Sequence, residues 1–176
     1  MRLELNHNEQ LIGRSHLILK SGSYIKKYYP LDQTEMFDTW WLNHVKQTTK
    51  LFKIVHPDLY VSETTDNNFY CVTQNYIEHN ESKDYSYQLN ISNYLSIIND
   101  LGFDYAKRDM QWYNLIYRKE DEKPFCIDWD AHEVLYSEEH AYEYYKSELI
   151  NDTWKSLFNI SDEDAESTFN TLWRMI

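Results

Sequence analysis

With 42% hydrophobic and 16% aromatic residues in a chain of 176, there is enough apolar material to bury a core, which excludes the disordered and low-complexity classes. Seventeen Lys and Arg against 29 Asp and Glu leave a net charge of −12, which disfavours nucleic acid and anionic membrane as partners. Any phosphate-bearing ligand must then be met by local cations or a metal ion. Cys71 and Cys126 both lie in apolar runs, the N-terminus lacks an apolar leader, and no run of about 20 apolar residues occurs. The expectation is a soluble, cytoplasmic chain with no disulfide and no membrane span.

Residues 11–29 carry apolar and β-branched runs broken at Ser21-Gly22-Ser23, the pattern of a β-hairpin. Alternation puts Tyr24, Lys26 and Tyr28 on one face of its second strand and Ile25, Lys27 and Tyr29 on the other. Met36, Phe37, Trp40, Trp41, His44 and Val45 recur at helical spacing, predicting a helix over 33–50 with Asp32 or Thr34 as its cap and Glu35 in its first turn. Residues 51–62 and 68–77 read as two strands joined by the polar turn 63–67, with Gln74 to Ile77 closing the second. The polar run 78–84 reads as a connector, dividing the chain into 1–77 and 78–176. A helix comes next over 85–101, turning Leu89, Tyr94, Leu95, Ile98 and Leu101 toward a core, with Gly102 at its stop.

Leu115–Tyr117 and Pro124–Ile127, separated by the charged run 118–123, form a second hairpin. Beyond it Ser137 caps a helix whose buried side is Ala141, Tyr144, Tyr145, Leu149 and Ile150, and which continues or breaks near Asn151-Asp152. Ser161-Asp162-Glu163-Asp164 opens a last helix carrying Phe169, Leu172, Trp173 and Ile176. The seven histidines show no metal-ligand spacing, so zinc is not implied.

The chemistry concentrates in Lys107 to Tyr117 and Phe125 to Asp130. Transfer of a γ-phosphoryl group needs one carboxylate within reach of the attacking hydroxyl, and oxygen ligands that hold Mg²⁺ against the nucleotide phosphates. Asp109 suits the first role. Asn114 and Asp128 suit the second, because Mg²⁺ takes hard oxygen donors and only a few from protein. The hairpin gives the spacing a mechanical reason, since its two strands bring Asn114 and Asp128 to the same end.

This order resembles the protein kinase-like superfamily along nearly the whole chain. Asp109-Met-Gln-Trp-Tyr-Asn114-Leu-Ile is similar to the catalytic loop of the compact, atypical RIO-type kinases. Ile127-Asp128, with Val134, Ser137 to His140 and an amphipathic helix after it, is similar to the metal-binding aspartate of those kinases and the stretch beyond it. Ile127-Asp128-Trp129 also resembles the corresponding segment of aminoglycoside and choline phosphotransferases. The resemblance implies an α+β, minimal two-lobed fold: a small antiparallel β lobe over 1–77 and a reduced helical lobe over 78–176, with ATP and Mg²⁺ in the cleft. It implies Asp109 as the catalytic base, Asn114 and Asp128 as metal ligands, and Lys26, with Lys27 the alternative, as the phosphate cation held by Glu35. Gln74 and Tyr76 fall where a backbone hinge meets the adenine.

Three departures separate the chain from ordinary protein kinases. Lys107 stands where many have a histidine, Gln111 replaces a common lysine, and the third residue of the metal-binding motif is not glycine. Only Gly13 and Gly22 are available where a glycine-rich loop would cover the phosphates. Fewer than 50 residues lie beyond Asp128, too few for a large peptide-docking platform, so the hydroxyl-bearing acceptor, protein or small molecule, meets a minimal site or one completed by a protein partner. The expected function is an ATP- and Mg²⁺-dependent kinase of the atypical Ser/Thr protein kinase type. The alternatives are a small-molecule kinase with Asp130 and Glu133 lining an acidic pocket, and a pseudokinase acting as a binding module.

Overall fold

The computed structural model describes residues 9–11, 17–31, 39–65, 68–103, 105–107, 110–128, 132–135 and 137–176. The chain divides between Ile77 and Glu78 into two compact units, and its architecture is α+β, with small antiparallel sheets and five α-helices among the described residues.

The first unit contains β1 (Glu9–Leu11), β2 (Leu17–Ser21), β3 (Tyr24–Pro30), α1 (Thr39–Val55), β4 (Val61–Thr65) and β5 (Phe69–Asn75). The strands form one antiparallel sheet in the order β1-β2-β3-β5-β4. The β2–β3 turn is Gly22-Ser23, with Ser21 opposite Tyr24. Gly22 takes φ +60°, the left-handed backbone that the first central position of such a turn requires. Tyr29, Tyr70 and Val72 from one face of the sheet pack with Val45 of α1, flanked by Leu31, Leu42 and Val61. Alternation along β3 then puts Lys27 on the face covered by α1, while Lys26, opposite Leu19 and Thr73, lies on the reverse face.

Helix α1 continues to Val55, so residues 51–55, expected as the start of a strand, are helical. The reason is periodicity over a longer window: Val45, Thr48, Thr49, Phe52 and His56 are all buried, a stripe at helical spacing. The run Leu51–Val55 looks like a strand only when read by itself. The Thr48 and Thr49 hydroxyls donate back to the Val45 carbonyl at 2.8 and 2.9 Å, and Pro57 lies just past the end.

In the second unit come β6 (His79–Glu81), a 3₁₀ turn (Ser82–Asp84), α2 (Tyr87–Leu101), β7 (Tyr105–Lys107), a 3₁₀ turn (Trp112–Asn114), β8 (Leu115–Arg118), β9 (Pro124–Cys126), β10 (His132–Val134), α3 (Glu138–Leu149), α4 (Asp152–Phe158) and α5 (Asp162–Trp173). The polar run 78–84, expected as a connector, supplies strand β6, which pairs with β8 and makes a three-stranded sheet in the order β6-β8-β9. Leu115, Ile116 and Tyr117 are all buried, so β8 needs partners on both sides, and a polar strand can serve at the sheet edge.

Ser86 caps α2 by accepting from the Leu89 N–H at 3.2 Å, and Gly102, at φ +93°, ends it. Its buried stripe is Tyr87, Asn90, Ile91, Tyr94, Leu95 and Ile98. Leu89, expected in the core, is 42% exposed, and the polar Asn90 stands in the stripe instead. Ser137, Asn151 and Ser161 cap α3, α4 and α5, so the chain breaks at Asn151. Ala141, Tyr145, Leu149, Trp154 and Phe169 are fully buried, whereas Ile176, expected with them, is exposed. Among the described residues no helix is long and apolar enough to cross a membrane.

Candidate functional site

The segment Met110 to Asn114 is held from several directions. The Trp154 indole of α4 donates to the Met110 carbonyl at 2.8 Å, and the Tyr94 hydroxyl of α2 donates to the Gln111 carbonyl at 2.8 Å. The Ser82 hydroxyl donates to the Trp112 carbonyl. Within the segment, the Asn114 N–H donates to the Gln111 carbonyl at 3.0 Å and closes the 3₁₀ turn. These donors are buried, and so is Met110, so the bonds replace water that the carbonyls have lost.

Hairpin β8–β9 carries the far end of the site. Leu115 faces Cys126, and one step further the Ile127 N–H donates to the Asn114 carbonyl at 2.8 Å. Asn114 and Ile127 are therefore opposed across the hairpin, and Asp128 is the next residue at the same end. Asp128 takes φ +65°, in the left-handed region that aspartate tolerates better than most side chains and that is uncommon outside glycine. Backbone of this kind clusters where a side chain must be aimed. Asn114 is 3% exposed and Asp128 half-buried. An amide and a carboxylate are the hard oxygen donors Mg²⁺ accepts. Among the described residues no three His, Cys, Asp or Glu cluster as a protein-only metal cage would need. Asp109, the expected base, lies outside the described residues, as do Asp130 and the side chain of Glu133.

A polar network supports the hairpin from below. Tyr117 donates to Asn90 Oδ1 at 2.8 Å and accepts from Asn93 Nδ2 at 3.0 Å, while Asn90 Nδ2 donates to the Ser82 and Ser86 carbonyls at 2.9 and 3.0 Å. Tyr85 stacks on the Tyr117 ring, centroids 3.9 Å apart. Burial pushes the Tyr117 hydroxyl up to about 12, which keeps it a neutral donor.

The residues expected to anchor a nucleotide in the first unit are more scattered. Lys26 and Lys27 are both half-buried and face opposite sides of the sheet. Lys27 lies on the face covered by α1 and Lys26 on the reverse face. Glu35 lies outside the described residues. Gln74 sits between Ile25 of β3 and Val61 of β4, in a central strand rather than at an edge. The Tyr76 N–H donates to the Ser23 carbonyl at 2.8 Å, and Lys20 Nζ covers the Tyr76 ring 3.5 Å from its centroid. The Tyr76 N–H is thus tied to the β2–β3 turn.

Compared with protein-family models the chain matches none, and no curated protein matches it by sequence. Sequence reasoning missed Ser82 and Trp154 and took Tyr94 for core alone, because a tyrosine or tryptophan at helical spacing reads as apolar surface. Asn90 did leave a signal, a polar residue on the apolar stripe of a helix.

Proposed function

We propose that the chain is an ATP- and Mg²⁺-dependent phosphotransferase of the kinase-like type, which moves the γ-phosphoryl group to a hydroxyl. The observation that carries this reading is the closure of β8–β9, with Asn114 bonded across to Ile127 and Asp128 beside it in left-handed backbone. Asn114 and Asp128 would hold the metal ion, which when bound neutralises charge on the phosphates. Asp109 would orient the acceptor hydroxyl and take its proton, and a strand lysine, Lys26 or Lys27, would supply a cation; these roles rest on the sequence resemblance. The acceptor is a hydroxyl on a protein or a small molecule.

Thermal melting with and without Mg²⁺-ATP tests the reading. A ligand that binds only the folded chain stabilises it by about 2.7 kcal/mol at 100 times its dissociation constant. That is a shift of about 5 to 10 °C for a protein of this size. The expected result is a shift that depends on Mg²⁺ and disappears in Asp128→Ala and Asn114→Ala. No shift in the wild-type chain at millimolar nucleotide refutes the enzyme reading. The commitment of the Tyr76 N–H to Ser23 favours the second reading in that event, a binding module that uses no nucleotide.

A further inference from the structure

We propose that Tyr94, Trp154 and Ser82 are positioning residues that set the geometry of the 110–114 segment by gripping three consecutive backbone carbonyls. The inference rests on the phosphotransferase reading, which gives that segment its chemical role. The carbonyls of Met110, Gln111 and Trp112 each accept from a different element: an indole on α4, a phenol on α2 and a hydroxyl in the 3₁₀ turn before α2. One donor could fix a position, but three from separate elements also restrain the rotation of the segment.

The donors are brought in from 44, 17 and 30 residues away, and all three side chains are fully buried. Packing alone would be served by a phenylalanine at positions 94 and 154, yet the single polar atom of each meets this segment and not its own helix. The segment begins one residue after Asp109 and ends at Asn114, whose own N–H is tied to the Gln111 carbonyl. Loss of one grip therefore changes where Asn114 presents itself beside Asp128, without touching either. Outer groups that orient metal ligands typically govern affinity by ten- to a hundredfold.

The test uses a matched pair in the full-length chain. Tyr94→Phe removes the hydroxyl that reaches the Gln111 carbonyl. Tyr87→Phe, one of the same buried helix stripe, removes a hydroxyl that reaches the Leu149 carbonyl at 3.3 Å, away from the segment. Two readouts are taken: Mg²⁺-dependent binding of ATP by calorimetry, and amide hydrogen exchange at Asn114 and Ile127 with Mg²⁺ and nucleotide absent. The expected result is that Tyr94→Phe binds about ten- to a hundredfold more weakly and exchanges faster at those two amides, with the rest of the unit protected. Tyr87→Phe keeps wild-type affinity and wild-type exchange there. Equal affinity in Tyr94→Phe and wild type, or equal weakening in both variants, overturns the inference. A wild-type chain that binds no Mg²⁺-nucleotide refutes the phosphotransferase reading. The exchange comparison then decides the grip by itself: acceleration at Asn114 and Ile127 in Tyr94→Phe alone supports it, and no acceleration overturns it.

Discussion

Tyr117→Phe is the substitution whose consequence stems most directly from geometry. The ring keeps its stacking on Tyr85, since phenylalanine has the same shape, and only the hydroxyl is lost. That hydroxyl donates to Asn90 Oδ1 and accepts from Asn93 Nδ2. Asn93 is half-buried and can turn to water, so the loss at that end is small. Asn90 is fully buried and its amide nitrogen is already held by the Ser82 and Ser86 carbonyls, so its oxygen cannot swing toward a new donor without breaking both bonds. A buried acceptor stripped of its donor costs about 1 to 3 kcal/mol. For a chain of this length that lowers the melting temperature by about 2 to 12 °C. Urea unfolding of the two proteins checks the figure, with the midpoint falling and the denaturant slope unchanged. A loss below about 0.5 kcal/mol, the range of neutral surface changes, would refute the view that this network is closed and without alternatives.

Backbone conformation and burial set two further outcomes. Asp128→Gly relieves a side chain from φ +65° and is expected to leave stability unchanged or raised by up to about 1 kcal/mol, while abolishing Mg²⁺-dependent nucleotide binding; a destabilised Gly variant, measured by thermal melting, would show that the Asp128 side chain supports the fold instead. Alkaline stability is set by buried phenols. Tyr117 is raised from 10.0 to about 12, and burial pushes Tyr70, Tyr87 and Tyr145 in the same direction, so the folded state holds these protons more tightly than the unfolded chain. Their contribution is complete below about pH 10 and falls away as pH rises through about 12. Urea midpoints measured across that window, with phenolate absorbance alongside, should fall steadily; flat midpoints would contradict it.

Local signals in the chain were strong where they depended on neighbours in sequence. The turn at Gly22, the caps at Ser137 and Ser161, the stop at Gly102 and the hairpin around the charged run 118–123 all use chemistry completed within a few residues. Those signals misled where burial decided between two local possibilities. Leu51–Val55 became helix because Phe52 continues the stripe of Val45, and His79–Glu81 became a strand because buried β8 needed a second partner.

The candidate site divides along the same line. Composition, charge and the order Asp109, Asn114, Asp128 are properties of the chain alone, and they determined the class of chemistry to test, because ligand type and spacing are written in residue identities. That the hairpin brings Asn114 and Asp128 to the same end was also foreseeable, from two apolar runs flanking the charged run 118–123. Which strand lysine shares a face with α1, that the Tyr76 N–H is spent on Ser23, and that Ser82, Tyr94 and Trp154 converge on adjacent carbonyls were decided only by tertiary structure. A backbone carbonyl carries no mark of its partner in the sequence, and donors from 17 to 44 residues away find it only once the core has packed.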